Sequence, residues 1–133
     1  MYFFYSLLTN LAIIISPLII LFRIINGKED PIRFTEKFCI YSKKRDSKKV
    51  WIHAASVGEL MSIIPILKKL EDNKKIKKII LSTSTTSSAR IFKKINLKKT
   101  IHVYFPLDAN FITKKFIEYW QPQLAIFIDS EIW

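Results

Sequence analysis

The sequence predicts an α/β fold, an open parallel sheet of Rossmann-like type preceded by an N-terminal membrane helix. Three observations carry this. Met1 to Phe22 contains no charged side chain. From Lys49 onward, short β-rich runs alternate with helical stripes, and turn signals punctuate them. Strands that alternate with helices in this way imply right-handed crossovers, and therefore parallel neighbours.

The heart of the N-terminal stretch is "LAIIISPLIILF" (11–22). At helical rise the whole uncharged stretch, residues 1–22, is long enough to cross a hydrocarbon core of roughly 30 Å. Pro17 would kink such a helix, which membrane helices tolerate. No basic segment precedes it and no small-residue cleavage site follows, unlike a secretory signal. A buried helix of a soluble domain is the other reading of the same run. No Lys or Arg precedes the stretch, whereas nine lie between Arg23 and Lys49, against four acids. The positive-inside rule then places the rest of the chain in the cytoplasm, single-pass, with the basic segment against anionic headgroups. "NGKEDP" (26–31) forms the turn out of the membrane. The expected division is 1–25 transmembrane anchor, 26–48 basic juxtamembrane segment and 49–133 Rossmann-like domain.

Within that domain "KVWIHAA" (49–55) reads as the first strand. Leu60, Ile63, Ile64 and Leu67 follow at helical spacing, with Pro65 expected to weaken or kink that helix. "KKIILSTS" (77–84) is the second strand, and a weaker helix covers about 86–95. "TIHVYFP" (100–106) is the third strand. Ile112, Phe116, Tyr119 and Trp120 mark the third helix, and "LAIFIDS" (124–130) the fourth strand. The strands look apolar on both faces, as a helix-covered sheet requires.

Composition narrows the chemistry. With 133 residues, half of them hydrophobic, one domain with a real core is the expectation. The only glycines are Gly27 and Gly58, which excludes a glycine-rich phosphate loop. The net charge of +11 rests largely on lysine clusters. Such a surface suits nucleic acid or acidic lipid, or simply keeps solvated faces soluble. No interleaved basic and aromatic motif of RNA-binding type is present, so nucleic acid is not the expected partner. No G-x-S-x-G elbow supports a hydrolase. Cys39 is alone, and His53 and His102 have no ligand spacing with it, so neither a disulfide, a metal nor a cofactor is expected.

Ligands of open parallel sheets bind at the carboxyl ends of the strands. "ASVGE", "STSTTSS", "PLD" and "DSEIW" all arrive there. Each has a structural reading beside the chemical one. Ser56 to Glu59 fits the capping box, with the Ser56 oxygen on the Glu59 amide and the carboxylate reaching back to the Ser56 amide. "STSTTSS" caps the next helix, or its hydroxyls and free amides hold a phosphate or sugar. Asp108 caps the third helix. Asp129 and Glu131 would share one face of a continuing strand, where paired acids repel.

In this order and spacing, "WIHAASVGE", "STSTTSSAR", "YFPLD" and "IDSEIW" resemble the N-terminal half of the 3-deoxy-D-manno-octulosonic acid (Kdo) transferases. The resemblance covers nearly the whole chain. It implies the N-terminal, acceptor-binding domain of a two-domain glycosyltransferase-B fold. The implied reaction moves Kdo from CMP-Kdo to a lipid A precursor in lipopolysaccharide core biosynthesis, at the inner membrane, with inversion and no catalytic metal. Glu59 would be the general base. Ser56, Gly58, Thr83, Ser84, Thr85, Asp129 and Glu131 would line the acceptor site. Two departures are visible. Asp129 stands where the family usually has Glu, about 1.5 Å shorter in reach. The chain also stops at Trp133, inside a segment that family members continue into a donor domain, so a fragment inactive alone is expected. The alternative function is a non-catalytic, membrane-tethered binding domain for acidic lipid.

Overall fold

The computed structural model describes residues 2–41 and 49–128. A long helix α1 (Tyr2–Ile25) leads into a short 3₁₀ helix, Phe34–Phe38. The domain then runs β1 (Lys49–His53), α2 (Val57–Asp72), β2 (Lys78–Thr83), α3 (Thr86–Lys94), β3 (Thr100–Tyr104), α4 (Asn110–Trp120) and β4 (Pro122–Phe127). All strand pairs are parallel, in the order β3-β2-β1-β4. The expected alternation is therefore the one the chain adopts.

Period-two alternation divides the core into two faces. Ile52, Ala54, Ile79 and Leu81 point to the side covered by α2, where Leu60, Ile63 and Leu67 meet them. Trp51, Ile80 and Val103 point the other way, onto Ile112, Phe116 and Trp120 of α4. Burying a side chain such as Leu60 or Phe116 contributes about 1.5–3 kcal/mol. Pro65 lies inside α2, and the helix continues past it to Asp72. Pro65 is itself exposed, so the ring occupies the solvent side, where the lost backbone bond costs least.

The two sheet edges are treated differently. At β3 the open backbone groups are covered by side chains. Arg33 Nη2 donates to the His102 carbonyl at 2.8 Å, and the Tyr104 amide donates to Glu36 Oε2 at 3.0 Å. Arg33 and Glu36 also bond each other, at 2.9 and 2.8 Å. Residues 33–36 of the expected basic juxtamembrane segment thus pack on the sheet edge, and Cys39 joins the α4 core. At β4, Leu124 and Phe127 are exposed, so this strand departs from the two-sided burial that its sequence suggests.

Helix α1 ends as its sequence directs. Gly27 has φ +67°. The Gly27 amide donates to Ile24 O at 2.9 Å and the Lys28 amide to Arg23 O at 2.8 Å, a Schellman motif. Asp30 then accepts from the Ile32 and Arg33 amides at 2.9 and 3.0 Å, closing the turn.

Candidate active site

The chain steps outward from β1 to β2 to β3, then returns to place β4 on the other side of β1. The topological switch is therefore between β1 and β4, and the crevice outside its carboxyl ends is where open α/β sheets bind ligands. Glu59 stands in the first turn of α2, directly after β1.

Its carboxylate is held at both oxygens. Oε2 accepts from the Ala55 amide and Oε1 from the Ser56 hydroxyl, each at 2.7 Å. The Glu59 amide donates to Ser56 Oγ at 3.2 Å. This is a capping box with one correction: the carboxylate takes the Ala55 amide, not that of Ser56. The side chain spans the turn because residue 55 still belongs to the strand exit and its amide points into the loop. Each oxygen retains acceptor capacity for one more donor. Gly58 follows the cap, and a β-carbon there would meet only Ser56 Oγ, at 3.9 Å. Packing does not require glycine at 58, and the surface over this turn is open.

Beside Glu59, His53 closes β1. Its Nδ1 lies 2.9 Å from Ser82 Oγ and 3.1 Å from Ser82 O. Trp51 Nε1 donates to the same hydroxyl at 2.8 Å. Burial pushes the His53 pKa below its ordinary value, against the opposing pull of the Ser82 carbonyl and the Glu59 charge. The ring packs on Phe105 with centroids 4.0 Å apart and lies 5.7 Å from Phe127. Trp51 in turn lies 5.0 Å from Phe127. An aromatic floor from three strands thus underlies the exit of β1. Sequence reasoning missed it, although "YFP" and "IFI" both place an aromatic at a strand end.

The hydroxyl-rich segment after β2 divides. Thr85 is exposed and caps α3, accepting from the Ser88 amide at 3.2 Å. Ser84 is half-buried beside it. Thr83 is fully buried, and its Oγ1 lies 2.8 Å from His102 Nε2. Because the Arg33 guanidinium can only donate, His102 Nδ1, 3.1 Å from Arg33 Nη2, is the acceptor. His102 Nε2–H therefore donates to Thr83, whose hydroxyl faces inward and not the rim. Asp108 does not cap α4. The cap position is Ala109, without a side-chain bond, and Asp108 Oδ2 accepts from Tyr5. The Ile128 amide donates to His53 O at 3.0 Å, which carries the backbone to the β1 exit. Asp129 and Glu131 lie outside the described residues.

A cavity of about 700 Å³ opens elsewhere, along the β3 edge, with Arg33, Arg90, Lys93 and His102 among its lining residues. None of its lining comes from the β1 exit, and topology, not cavity size, identifies the site here.

A parallel sheet covered by helices, with a fixed carboxylate at its switch point and a long apolar helix in front, defines an α/β domain of the open, ligand-binding kind. Residues 32–133 match the family described as 3-Deoxy-D-manno-octulosonic-acid transferase (kdotransferase), and the chain belongs to that family. It is 36% identical over 130 residues to a 3-deoxy-D-manno-octulosonic acid transferase of Rickettsia bellii, covering 97% of this chain and 31% of that protein. It is 31% identical over 136 residues to the Haemophilus influenzae transferase of that name, covering 98% and 31%. A probable mitochondrial counterpart in Arabidopsis thaliana is also 31% identical, over 98% of this chain and 30% of its own length. The chain thus spans about a third of the length of these relatives. No solved structure matches it.

Proposed function

We propose that this chain is the acceptor-binding N-terminal part of a glycosyltransferase that moves Kdo from CMP-Kdo to a lipid A precursor on the cytoplasmic side of the inner membrane. The observation that carries this reading is the Glu59 carboxylate, fixed at 2.7 Å by Ala55 and Ser56 beside the β1–β4 switch. Glu59 takes the proton from an acceptor hydroxyl. That oxygen attacks the anomeric carbon of Kdo with inversion, and the bond to the CMP phosphate breaks, releasing CMP. A positioned base of this kind contributes about 10²–10⁴ in rate.

Ser56, Gly58, Ser84 and Thr85 offer hydroxyls and open backbone to the acceptor sugar. Thr83 supports them from below through His102. Asp129 and Glu131, one and three residues beyond Ile128 in the sequence, are assigned to the acceptor as well. The His53, Phe105 and Phe127 floor supplies ring faces of the kind sugars stack upon. The donor nucleotide is assigned to the remaining length that the relatives possess.

The test is Glu59→Gln in a polypeptide of the relatives' full length, assayed for transfer to a lipid A precursor. Transfer falls by about 10²–10⁴ while the fold is kept. Retained turnover removes the base assignment; no transfer by the unsubstituted polypeptide of that length favours instead a non-catalytic domain that binds acidic lipid.

A further inference from the structure

Helix α1 makes its contacts on one stripe. Thr9, Ile13, Ser16, Ile20, Arg23 and Ile24 are its less exposed positions, spaced by helical turns. Ser16 and Ile20 are buried, and Ile13 packs on the core that α4 shares with the sheet. Both ends are tied to the same domain. Near the start, the Tyr5 hydroxyl donates to Asp108 Oδ2 at 2.8 Å. At the end, Arg23 Nε donates to Glu29 at 3.1 Å, and Lys37 Nζ donates to the same buried carboxylate at 2.8 Å. The Lys37 carbonyl then accepts from the Leu107 amide at 2.9 Å. Residues 107 and 108 of one connection are thus reached from opposite ends of the helix.

The opposite side of α1 is bare and apolar. Ile14, Leu18, Phe22 and Ile25 are 69–75% exposed, and no charged residue lies between Tyr2 and Phe22. A continuous stripe of this size is not a solvent surface; it marks a membrane or protein contact.

We infer that α1 lies in the plane of an anionic membrane surface, its bare face in the acyl boundary and the domain packed on its other face, and does not cross the bilayer. Tyr5 and Arg23 are separated by about 27 Å of helix. In a crossing helix, that distance would put Tyr5 near the far boundary of a hydrocarbon core of roughly 30 Å, across the membrane from the domain that follows Arg23, where it cannot reach Asp108. Length and hydropathy fit either arrangement; contacts at both ends fit only the flat one. The occupant is lipid because the chain carries a net charge of +11 and Arg23 and Lys28 follow the stripe at once, which complements acidic headgroups. This placement does not depend on the catalytic reading.

The test adds the protein, with a protease-cleavable tag ahead of Met1, to preformed sealed vesicles of phosphatidylglycerol and phosphatidylethanolamine. The protein floats with them, and protease added outside removes the tag without detergent. A tag protected until detergent is added means that the helix crosses, and overturns the inference. Equal flotation with neutral phosphatidylcholine vesicles overturns the anionic assignment, and failure to float overturns the membrane as occupant. In a Tyr5→Cys, Asp108→Cys variant bound to the same vesicles, a short bis-maleimide bridges the two positions within one chain; Cys39 is buried and stays out of the reaction. No bridge, or one that doubles the mass by joining two copies, overturns the docking of α1 on its own domain.

Discussion

Helix α2 carries a carboxylate in its first turn and another in its last, and the two are bonded alike. Glu59 accepts from one amide and one hydroxyl, both within four residues. Glu71 accepts from the Lys98 and Lys99 amides at 2.9 and 2.8 Å and from the Thr100 hydroxyl at 2.7 Å. Every oxygen accepts at least one bond in both cases, so the presence of partners alone does not separate them. Topology does. Glu71 sits where strands begin and ties α2 to the start of β3, closing a loop of the fold. Glu59 sits where strands end, at the switch, and its partners belong to its own turn. Removing the first unfastens two elements, whereas removing the second disturbs one turn.

The sharpest way to break this contrast is the same substitution at both positions. Glu59→Gln keeps an oxygen for the Ala55 amide and leaves the Ser56 cap, so stability changes by less than about 1 kcal/mol while transfer falls by about 10²–10⁴. Glu71→Gln turns an amide group toward donors that need acceptors, costing about 2 kcal/mol of stability and leaving turnover per folded molecule unchanged. Denaturant unfolding and transfer assays on both variants decide it. A pair in which position 71 governs turnover and position 59 governs stability would erase the distinction.

Acid sharpens it further. Burial pushes the Glu71 pKa up, but the bonds from Thr100, Lys98 and Lys99 outweigh burial and hold it below the ordinary 4.5. The unfolded chain then binds the proton more tightly than the folded one. The stabilisation is complete above pH 4.5 and is lost as pH falls through the lower folded value. Glu71→Gln should flatten that acid limb of the unfolding curve; an unchanged limb would show that other carboxylates carry it.

The fold was legible because its signals are local. The stripe of Leu60, Ile63 and Leu67, the alternating faces of β1 and the Gly27 stop each lie within one element. The carboxylate at 59 was legible as a cap, to within one residue of its partner. What escaped depended on residues far apart in the chain. The aromatic floor joins positions 53, 105 and 127. Asp108 was taken by Tyr5, 103 residues away, instead of capping its own helix. Glu29, in a stretch that reads as a charged tether, is buried because Arg23 and Lys37 converge on it. No period or cap in the sequence encodes such meetings.

A smaller effect separates acceptor contact from scaffold at the Glu59 end alone. Gly58 is helical, and a β-carbon added there would lie 3.9 Å from its nearest neighbour, Ser56 Oγ. Gly58→Ala should hold or raise stability by about 0.5 kcal/mol, since alanine restricts the unfolded chain. If the acceptor approaches this turn, the added methyl raises KM several-fold with kcat little changed. An unaltered KM would move the acceptor away from the start of α2.

The smallest effect concerns His53, which touches the site without being fixed by Glu59. Burial lowers its pKa below 6.5, more than the Ser82 carbonyl and the Glu59 charge raise it. The unfolded chain therefore takes up a proton that the folded chain refuses. Stability from this residue is complete above pH 6.5, declines as pH drops toward the folded value, and then levels off. His53→Asn should remove that decline while leaving the Glu71 limb at lower pH in place. A decline between neutral and mildly acid pH that is equally steep in the variant would place its origin elsewhere. Loss of both limbs together would mean that His53 holds the sheet as a whole, and that the β1 exit is part of the scaffold and not a surface presented to a ligand.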